Sequence, residues 1–235
     1  LDYFSALRAQ TSFKGRVHYQ DTDRVVYSTD NSIYQVLPQG VISPQSISDL
    51  QIALKTAASN QFLNISFTAR GGGTGTNGQA LNTGVILDLR SSLNQILDLD
   101  LDAGLVTVQP GVTLDQLNQF LRPHGVCFAP SVSPSNRATI GGMVNTDACG
   151  KGSRIYGRTS QHIHGMSMVL SDGTVWDVES YSDTVFRDYS QQSGMIGDVL
   201  HYLGERIPGQ QSLIQSRFPS QTRFLTGYNL RQLYD

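Results

Sequence analysis

The chain has 235 residues, with 17 basic against 19 acidic side chains, a formal net charge of −2 and a charged fraction of only 15%. This balance, without a basic stripe interleaved with aromatics, speaks against a nucleic-acid partner, and no apolar run approaches the roughly 20 residues of a transmembrane segment. The two cysteines, Cys127 and Cys149, make neither a disulfide framework nor a CxxC pair, which favours a reducing compartment.

The length suits one large domain or two small lobes. With Leu1 in place of Met, no visible signal peptide and an unclosed ending at Asn229–Asp235, the sequence reads as a piece of something longer.

In chain order, residues 1–33 are polar, with helical segments but no strong period, and read as an N-terminal helical extension. Gln35–Pro38 and Gly40–Ser43 suggest a strand interrupted by a turn. Ser46 then opens a helix running to Asn60, with Ile47, Leu50 and Leu54 along one face. Strands at Asn64–Thr68 and Val85–Leu89 flank a glycine-rich loop and complete a β-α-β-β unit. Ile96 to Asp102 alternates apolar and acidic residues, turns at Asp102-Ala103-Gly104 and returns as Leu105–Val108, a half-buried hairpin. Asp98, Asp100 and Asp102 form its solvated face rather than a catalytic pair.

Thr113 with Gln116 has capping-box spacing, Leu114, Leu117 and Leu121 stripe the helix that follows, and Pro123 and Gly125 end it. A last hairpin runs Met166–Leu170, turns at Asp172-Gly173 and returns as Thr174–Asp177. After Tyr181 the chain is again polar and helical. The expected fold class is α+β, with lobes at 34–92 and 93–180 and a helical tail at 181–235. A cleft between two lobes suits an extended ligand.

The loop between the flanking strands is the most informative segment. From Gly71 to Gly78 it holds five glycines and two threonines in eight positions. Bare backbone in turn conformations can point successive N–H groups into one concavity, which suits a phosphate, and Arg70 at its entrance could add charge. Gly73 to Gly78 matches G-x-G-x-x-G, but a dinucleotide fingerprint must open a helix. Here Gln79–Gly84 is turn-rich and a strand follows, so any anion must be held by the loop itself. A Walker A loop is also absent, because Gly150-Lys151 is followed by Gly152.

Pro130 to Gly150 is a second long span of small residues, hydroxyls and glycines. Such a span lets a flat ligand lie against the main chain. Two glycine-rich loops on separate lobes fit a ligand with a pyrophosphate and a planar ring system.

The motifs R-G-G-G-T-G at Arg70–Gly75, P-G-V at Pro110–Val112, A-T-I-G-G at Ala138–Gly142 and Y-G-R-T-S at Tyr156–Ser160 occur in this order. Together they resemble the PCMH-type FAD-binding domain of the vanillyl-alcohol oxidase superfamily, in the branch with D-lactate dehydrogenase and glycolate oxidase. The run R-G-G-G-T-G-T-N-G-Q-A-L-N, the run S-N-R-A-T-I-G-G-M-V-N-T-D-A and the tail R-F-L-T-G-Y-N-L at Arg223–Leu230 are most similar to large bacterial FAD and iron–sulfur D-2-hydroxyglutarate dehydrogenases.

The resemblance implies a two-lobed FAD-binding domain lacking the C-terminal substrate (cap) domain. It implies that Arg70, Gly71, Gly72, Gly73, Thr74, Gly75 and Gly78 hold the FAD pyrophosphate, and that Pro110 and Gly111 flank the flavin or ribityl chain. Pro130, Ser133, Thr139, Gly141, Gly142, Thr146, Ala148 and Gly150 would border the isoalloxazine, and Ile163 would meet the adenine side through its backbone. Members that bind flavin covalently through the first loop carry His where Thr74 stands, so FAD is expected to be non-covalent. Cys149 stands where Gly is usual.

The implied activity is hydride transfer from the Cα of a small 2-hydroxy acid (2-hydroxyglutarate, lactate or glycolate) to flavin N5, with the protein placing the cofactor. The substrate-carboxylate contacts and the catalytic base are expected in the cap domain, and any iron–sulfur cluster only in the part beyond this chain. The electron acceptor is not assigned. The chain alone is expected to bind FAD at best, without turnover. Localisation is expected to be cytoplasmic, or peripheral to the inner membrane. Two alternatives stay open, an NADPH-dependent flavin reductase of the same fold and a non-catalytic module that has lost flavin.

Other polar residues have plainer readings. His162 and His164, two apart, read as satisfied strand histidines rather than a metal pair. His124 reads as a partner of the last carbonyls of its helix. Cys127 and Cys149 read as small buried residues, with Cys149 close to flavin. Arg137, Lys151, Arg154 and Arg158 could meet a phosphate or carboxylate, or simply be solvated.

Overall fold

The computed structural model describes residues 2–221 and 228–233, so most of the tail run Arg223–Leu230 lies outside the described residues. The chain divides into two units, Leu1–Ile163 and His164–Asp235.

The first unit opens with α1 (Tyr3–Arg8), capped by the Asp2 carboxylate, which accepts the Ser5 N–H at 2.8 Å. β1 (Arg16–His18), α2 (Asp21–Val26), β2 (Gly40–Ser43), α3 (Ile47–Ala57), β3 (Phe67–Arg70) and β4 (Val85–Asp88) follow. They build one sheet in the order β1-β2-β4-β3. β1 runs antiparallel on β2, while β2 and β3 flank β4 in parallel. β2 and β4 are buried along their whole length, the pattern of inner parallel strands covered on both faces. Tyr3 and Leu7 of α1 are buried, and Tyr3 reaches α3 by donating its hydroxyl to the Ala53 carbonyl at 3.0 Å.

The β-α-β-β unit expected from the sequence is present, with adjustments. β3 begins later than Asn64–Thr68 because Ile65 is spent in a turn, its N–H on the Phe62 carbonyl at 3.0 Å. The helix ends at Ala57, short of Asn60, and Ile47 in its first turn is exposed. Its buried face is Leu50, Ala53, Leu54 and Ala57, two of them alanines that carry little hydrophobic signal. Gln35–Pro38 forms no strand; only Gln35 pairs, in an isolated bridge with Thr29. β1 was not expected, since three residues are too few for a period of two to be read.

The rest of the unit comprises β5 (Ile96–Asp100), β6 (Leu105–Val108), α4 (Leu114–Leu121), α5 (Ile140–Asn145) and α6 (Ser153–Tyr156). β5 and β6 form the expected antiparallel hairpin, irregular between Ile96 and Asp98, with Asp98, Asp100 and Asp102 exposed. Both bonds of the Thr113–Gln116 capping box are made, and a 3-10 turn ends α4 at Gly125, whose φ is 74°. Leu114, Leu117 and Leu121 enter a core with Val112, Ala138, Ile140 and Met143, against which Ile96, Leu99, Val106 and Val108 of the hairpin pack. This core holds together the two segments that carry the second glycine loop.

The second unit contains the hairpin β7 (Met166–Val169) and β8 (Val175–Val178), then α7 (Asp183–Ser190), α8 (Met195–Arg206) and α9 (Gln211–Arg217). Trp176 donates its indole N–H to the Tyr181 hydroxyl at 2.7 Å. Among the described residues, no helix is long and apolar enough to cross a membrane.

Candidate functional site

β3 and β4 are parallel neighbours, and such a pair needs a crossover of a dozen or more residues. Here the crossover is the glycine loop itself, and no helix lies between the strands. Gly73 and Gly78 have φ of 61° and 75°, which a side chain would strain. Among the described residues, nothing accepts the main-chain N–H groups from Gly71 through Thr76. A run of unpaired amides in a turn is the donor set a pyrophosphate requires, so the loop fits an FAD diphosphate.

Arg70 is not at the entrance. It is 8% exposed, lies beneath the loop, and donates to the carbonyls of Thr29 (2.7 Å), Tyr27 (3.3 Å) and Ala80 (3.4 Å). Burial lowers its pKa, opposed by the nearby charge of Asp30 and by Tyr27 and Asp88. Asp88, at the end of β4, accepts the Tyr27 hydroxyl at 2.7 Å and the Arg90 N–H at 3.1 Å.

The two glycine loops touch. A methyl placed on Gly71 would lie 2.2 Å from Thr139 Oγ1, and one on Gly72 would lie 2.0 Å from the Arg137 carbonyl oxygen. The Arg137 guanidinium donates to the Gly72 carbonyl at 3.2 Å. Part of the bareness of the first loop therefore serves this approach rather than a ligand. A cavity of about 350 Å³ beside the contact is lined by Arg70, Gly71, Gly72, Asp88, Arg90 and Arg137.

The second segment is built on main-chain bonds. Gly111 donates to Leu93 O at 2.7 Å, Ile140 to Val112 O at 2.8 Å and Gly141 to Pro110 O at 2.9 Å. Gly141 has no room for a methyl, which would lie 2.6 Å from Pro110 Cβ. Thr139, 1% exposed, caps α5 by accepting the Gly142 N–H at 3.3 Å. After α5, Thr146 donates its hydroxyl to Gly142 O at 2.9 Å, and Ala148 donates its N–H to Met143 O at 2.8 Å.

Asp147 occupies φ 43°, and its side chain explains why it stays there. It pairs with Arg158 at 3.1 Å and accepts the Ser160 N–H at 2.9 Å. Thr159, fully buried, gives both its N–H (3.1 Å) and its hydroxyl (2.7 Å) to Ala148 O. The Tyr-Gly-Arg-Thr-Ser motif is thus a clamp on the 146–150 segment. Gly150 completes it, since a methyl there would lie 2.1 Å from Ser131 O.

These contacts bring Arg70–Gly73, Pro110, Gly111, Thr139, Gly141, Gly142, Thr146 and Ala148 into one connected patch. Thr74 and Gly75 continue the first loop, half-buried. Gly78 lies instead against Tyr34 and Ser32, Pro130 is buried, Ser133 is exposed, and Ile163 ends the unit with its N–H on Ser160 O at 3.5 Å. The partners that Arg137 finds in Gly72 and Arg158 in Asp147, and the contribution of residues 27–31, have no local sequence signal.

Several plain readings change. His162 sits in a 3-10 turn rather than a strand, with Nε2 2.6 Å from Tyr156 O and its ring edge-on to Phe128. His124 lies beside the Phe120 ring, while the Arg122 carbonyl is taken by the Gly125 N–H. Cys127 is exposed and Cys149 half-buried, because Cys127 follows the helix-ending turn instead of entering the core. Arg158 is buried in its ion pair, while Lys151 and Arg154 are exposed. Among the described residues, no group of three His, Cys, Asp or Glu side chains could hold a metal ion.

Comparison with known proteins matches this architecture. The chain is 44% identical over 226 residues to D-2-hydroxyglutarate dehydrogenase of Escherichia coli (strain K12), covering 96% of the chain and 22% of that protein. It is 42% identical over 234 residues to D-2-hydroxyglutarate dehydrogenase of Pantoea ananatis (strain AJ13355), covering 100% of the chain and 23% of that protein. It therefore spans less than a quarter of the length of these relatives. The solved structure of wild-type Physcomitrella patens BBE-like 1 superposes with a TM-score of 0.65 at 18% identity, over 78% of this chain and 39% of that one. That likeness shows the fold, an α+β domain of the PCMH type. The family model described as FAD binding domain matches residues 38–179, the span that contains both glycine loops, and the chain belongs to this family.

Proposed function

We propose that the chain is the FAD-binding part of a flavin-dependent D-2-hydroxy-acid dehydrogenase. The identity to D-2-hydroxyglutarate dehydrogenases, 42–44%, favours 2-hydroxyglutarate over lactate or glycolate as the acid oxidised by the whole protein. The observation that carries the reading is the run of N–H groups from Gly71 to Thr76, without an acceptor among the described residues, on a loop pressed against Arg137–Thr139. One ligand lying across that contact would meet both loops.

In this reading Gly71–Gly75, with Gly78, hold the pyrophosphate, and the buried Arg70 supports the loop from beneath. Pro110 and Gly111 flank the ribityl chain, and Pro130, Ser133, Thr139, Gly141, Gly142, Thr146, Ala148 and Gly150 border the ring system. Ile163 offers its backbone to the adenine side. The lobes would be 34–92 and 93–180, between an N-terminal extension and the 181–235 tail.

When bound, FAD would supply a two-electron acceptor for the hydride of the substrate Cα. The chain's own residues bind and orient. The amides of the first loop neutralise phosphate charge, and the latch from Arg137 to Gly72 fixes that loop against the second. The clamp from Arg158 and Thr159 holds the 146–150 backbone in place. Thr74 has no side-chain nitrogen with which to bond the flavin covalently, so the cofactor should dissociate. The substrate-carboxylate contacts and the catalytic base belong to the remainder of the protein, which acts in the cytoplasm or at the periphery of the inner membrane.

Titration of the chain with FAD tests this. Saturable quenching of flavin fluorescence, with all flavin released on denaturation, is the expected result. Flavin that stays free at high protein concentration, or that remains attached after denaturation, overturns it.

A further inference from the structure

Residues 27–34 precede the matched span 38–179, yet they surround the base of the first glycine loop. The Tyr27 and Thr29 carbonyls take two of the hydrogen bonds of Arg70, whose guanidinium carbon lies 5.4 Å from the centre of the Tyr27 ring. Asn31 donates its N–H to the Gly73 carbonyl at 3.1 Å. Tyr34 sits against Gly78, where a methyl would meet its ring at 3.1 Å. The segment is itself anchored, with Val36 N–H on Ser28 O at 2.8 Å and Tyr27 on Asp88.

The peptide plane gives these bonds a consequence for the site. In a trans peptide the C=O of one residue and the N–H of the next point in opposite directions. The Gly73 carbonyl is drawn to Asn31, so the Thr74 N–H is turned away from residues 27–34. The Gly72 carbonyl is drawn to Arg137, so the Gly73 N–H is turned away from that side chain. Beneath them the Arg70 guanidinium fills the floor, 2.7 Å from where a Gly73 methyl would sit.

We propose that residues 27–34 and Arg70 form a positioning collar that aims the loop amides at the anion, with Arg70 acting through the loop rather than by touching the ligand. The inference rests on the loop being the FAD pyrophosphate site. A lysine in place of Arg70 keeps the charge but not the fork that spans three carbonyls. A proline at 31 removes the amide donor, and an alanine there does not.

The test is the FAD dissociation constant of the full chain and of Arg70→Lys, Asn31→Ala and Asn31→Pro, at low and high salt, with unfolding of the apo proteins as the check on folding. Asn31→Ala should bind as wild type, and Asn31→Pro should bind about fivefold more weakly, the effect of one lost hydrogen bond. Arg70→Lys should lose about tenfold, equally at both salts, because no charge–phosphate contact is being screened. Wild-type affinity in Arg70→Lys, or Asn31→Pro equal to Asn31→Ala, overturns the collar. Where one of these two variants does not fold, the other decides. If the wild-type chain binds no FAD, the cofactor reading fails by itself. The collar is then judged by cleavage within residues 71–80 by an unspecific protease, which should be faster in Asn31→Pro than in Asn31→Ala, equal rates overturning it.

Discussion

Gly72→Ala puts the contact between the two loops under direct strain. The added methyl would lie 2.0 Å from the Arg137 carbonyl oxygen and 2.7 Å from its carbonyl carbon, both main-chain atoms that cannot rotate away. Carbon contacts settle near about 3.5 Å, so the loops must part by more than about 1 Å. Overpacking of this kind costs about 1–3 kcal/mol, and opening the Arg137–Gly72 hydrogen bond adds about 1 kcal/mol. The sum, about 2–4 kcal/mol, corresponds to a fall of roughly 4–16 °C in melting temperature for a domain of this size. Because the N–H groups move with the loop, FAD affinity should fall at least about tenfold, equivalent to about 1.4 kcal/mol. Gly104→Ala is the control: its φ is 67° but nothing lies within 4 Å of the added methyl. It should cost about 1–2 kcal/mol of backbone strain and leave FAD binding alone. Calorimetry and flavin titration read the two effects. A Gly72→Ala chain as stable as wild type and binding FAD equally well would refute the loop contact.

Thr113→Ala should destabilise the first unit by about 1 kcal/mol in urea, since both bonds of the capping box go, while Thr113→Ser should lose little. Asp147→Asn keeps an acceptor for Ser160 N–H and a residue type that tolerates positive φ, and should cost less than Asp147→Ala, which adds strain and removes every acceptor this side chain offers to Ser160 and Arg158; about 2 kcal/mol is expected between them in chemical unfolding. Burial raises the pKa of Tyr3, and burial with the hydrogen bond to Asp88 raises that of Tyr27, from an ordinary 10.0. The folded state thus holds these protons more tightly than the unfolded chain. Their contribution is whole below about pH 10 and is lost as pH rises through the folded values. The loss of stability above pH 10 should therefore be shallower in the Tyr3→Phe/Tyr27→Phe double variant, and an unchanged slope would contradict the burial assigned to them.

Local chemistry was readable in the sequence wherever a short-range rule determines it. Thr113 with Gln116 announced the cap of α4, Asp172-Gly173 the turn of β7–β8, and the polar turn run after Gly78 the absence of a helix there. Long-range neighbours were not readable. Nothing in the first loop says that Gly71 must face Thr139, or that Arg137 reaches back to Gly72. From the sequence Arg70 stands at the loop entrance, and its burial is not legible there because its three carbonyl partners come from residues 27, 29 and 80, which carry no shared pattern. The buried face of α3 differs from the sequence pattern at Ile47 because Ala53 and Ala57, both buried, weigh little in a hydrophobic count. Glycine richness is ambiguous for a physical reason: it serves close main-chain approach at Gly71, Gly72, Gly141 and Gly150, and in the first loop the amides of residues 71–76 also lack an acceptor among the described residues.

The most direct measurement is amide hydrogen exchange of the chain with and without FAD, followed peptide by peptide. A single flavin nucleotide lying across both loops should slow exchange in residues 71–76 and in residues 131–148 together, at the same FAD concentration. Protection confined to one of the two stretches, or two different midpoints, would contradict a shared site.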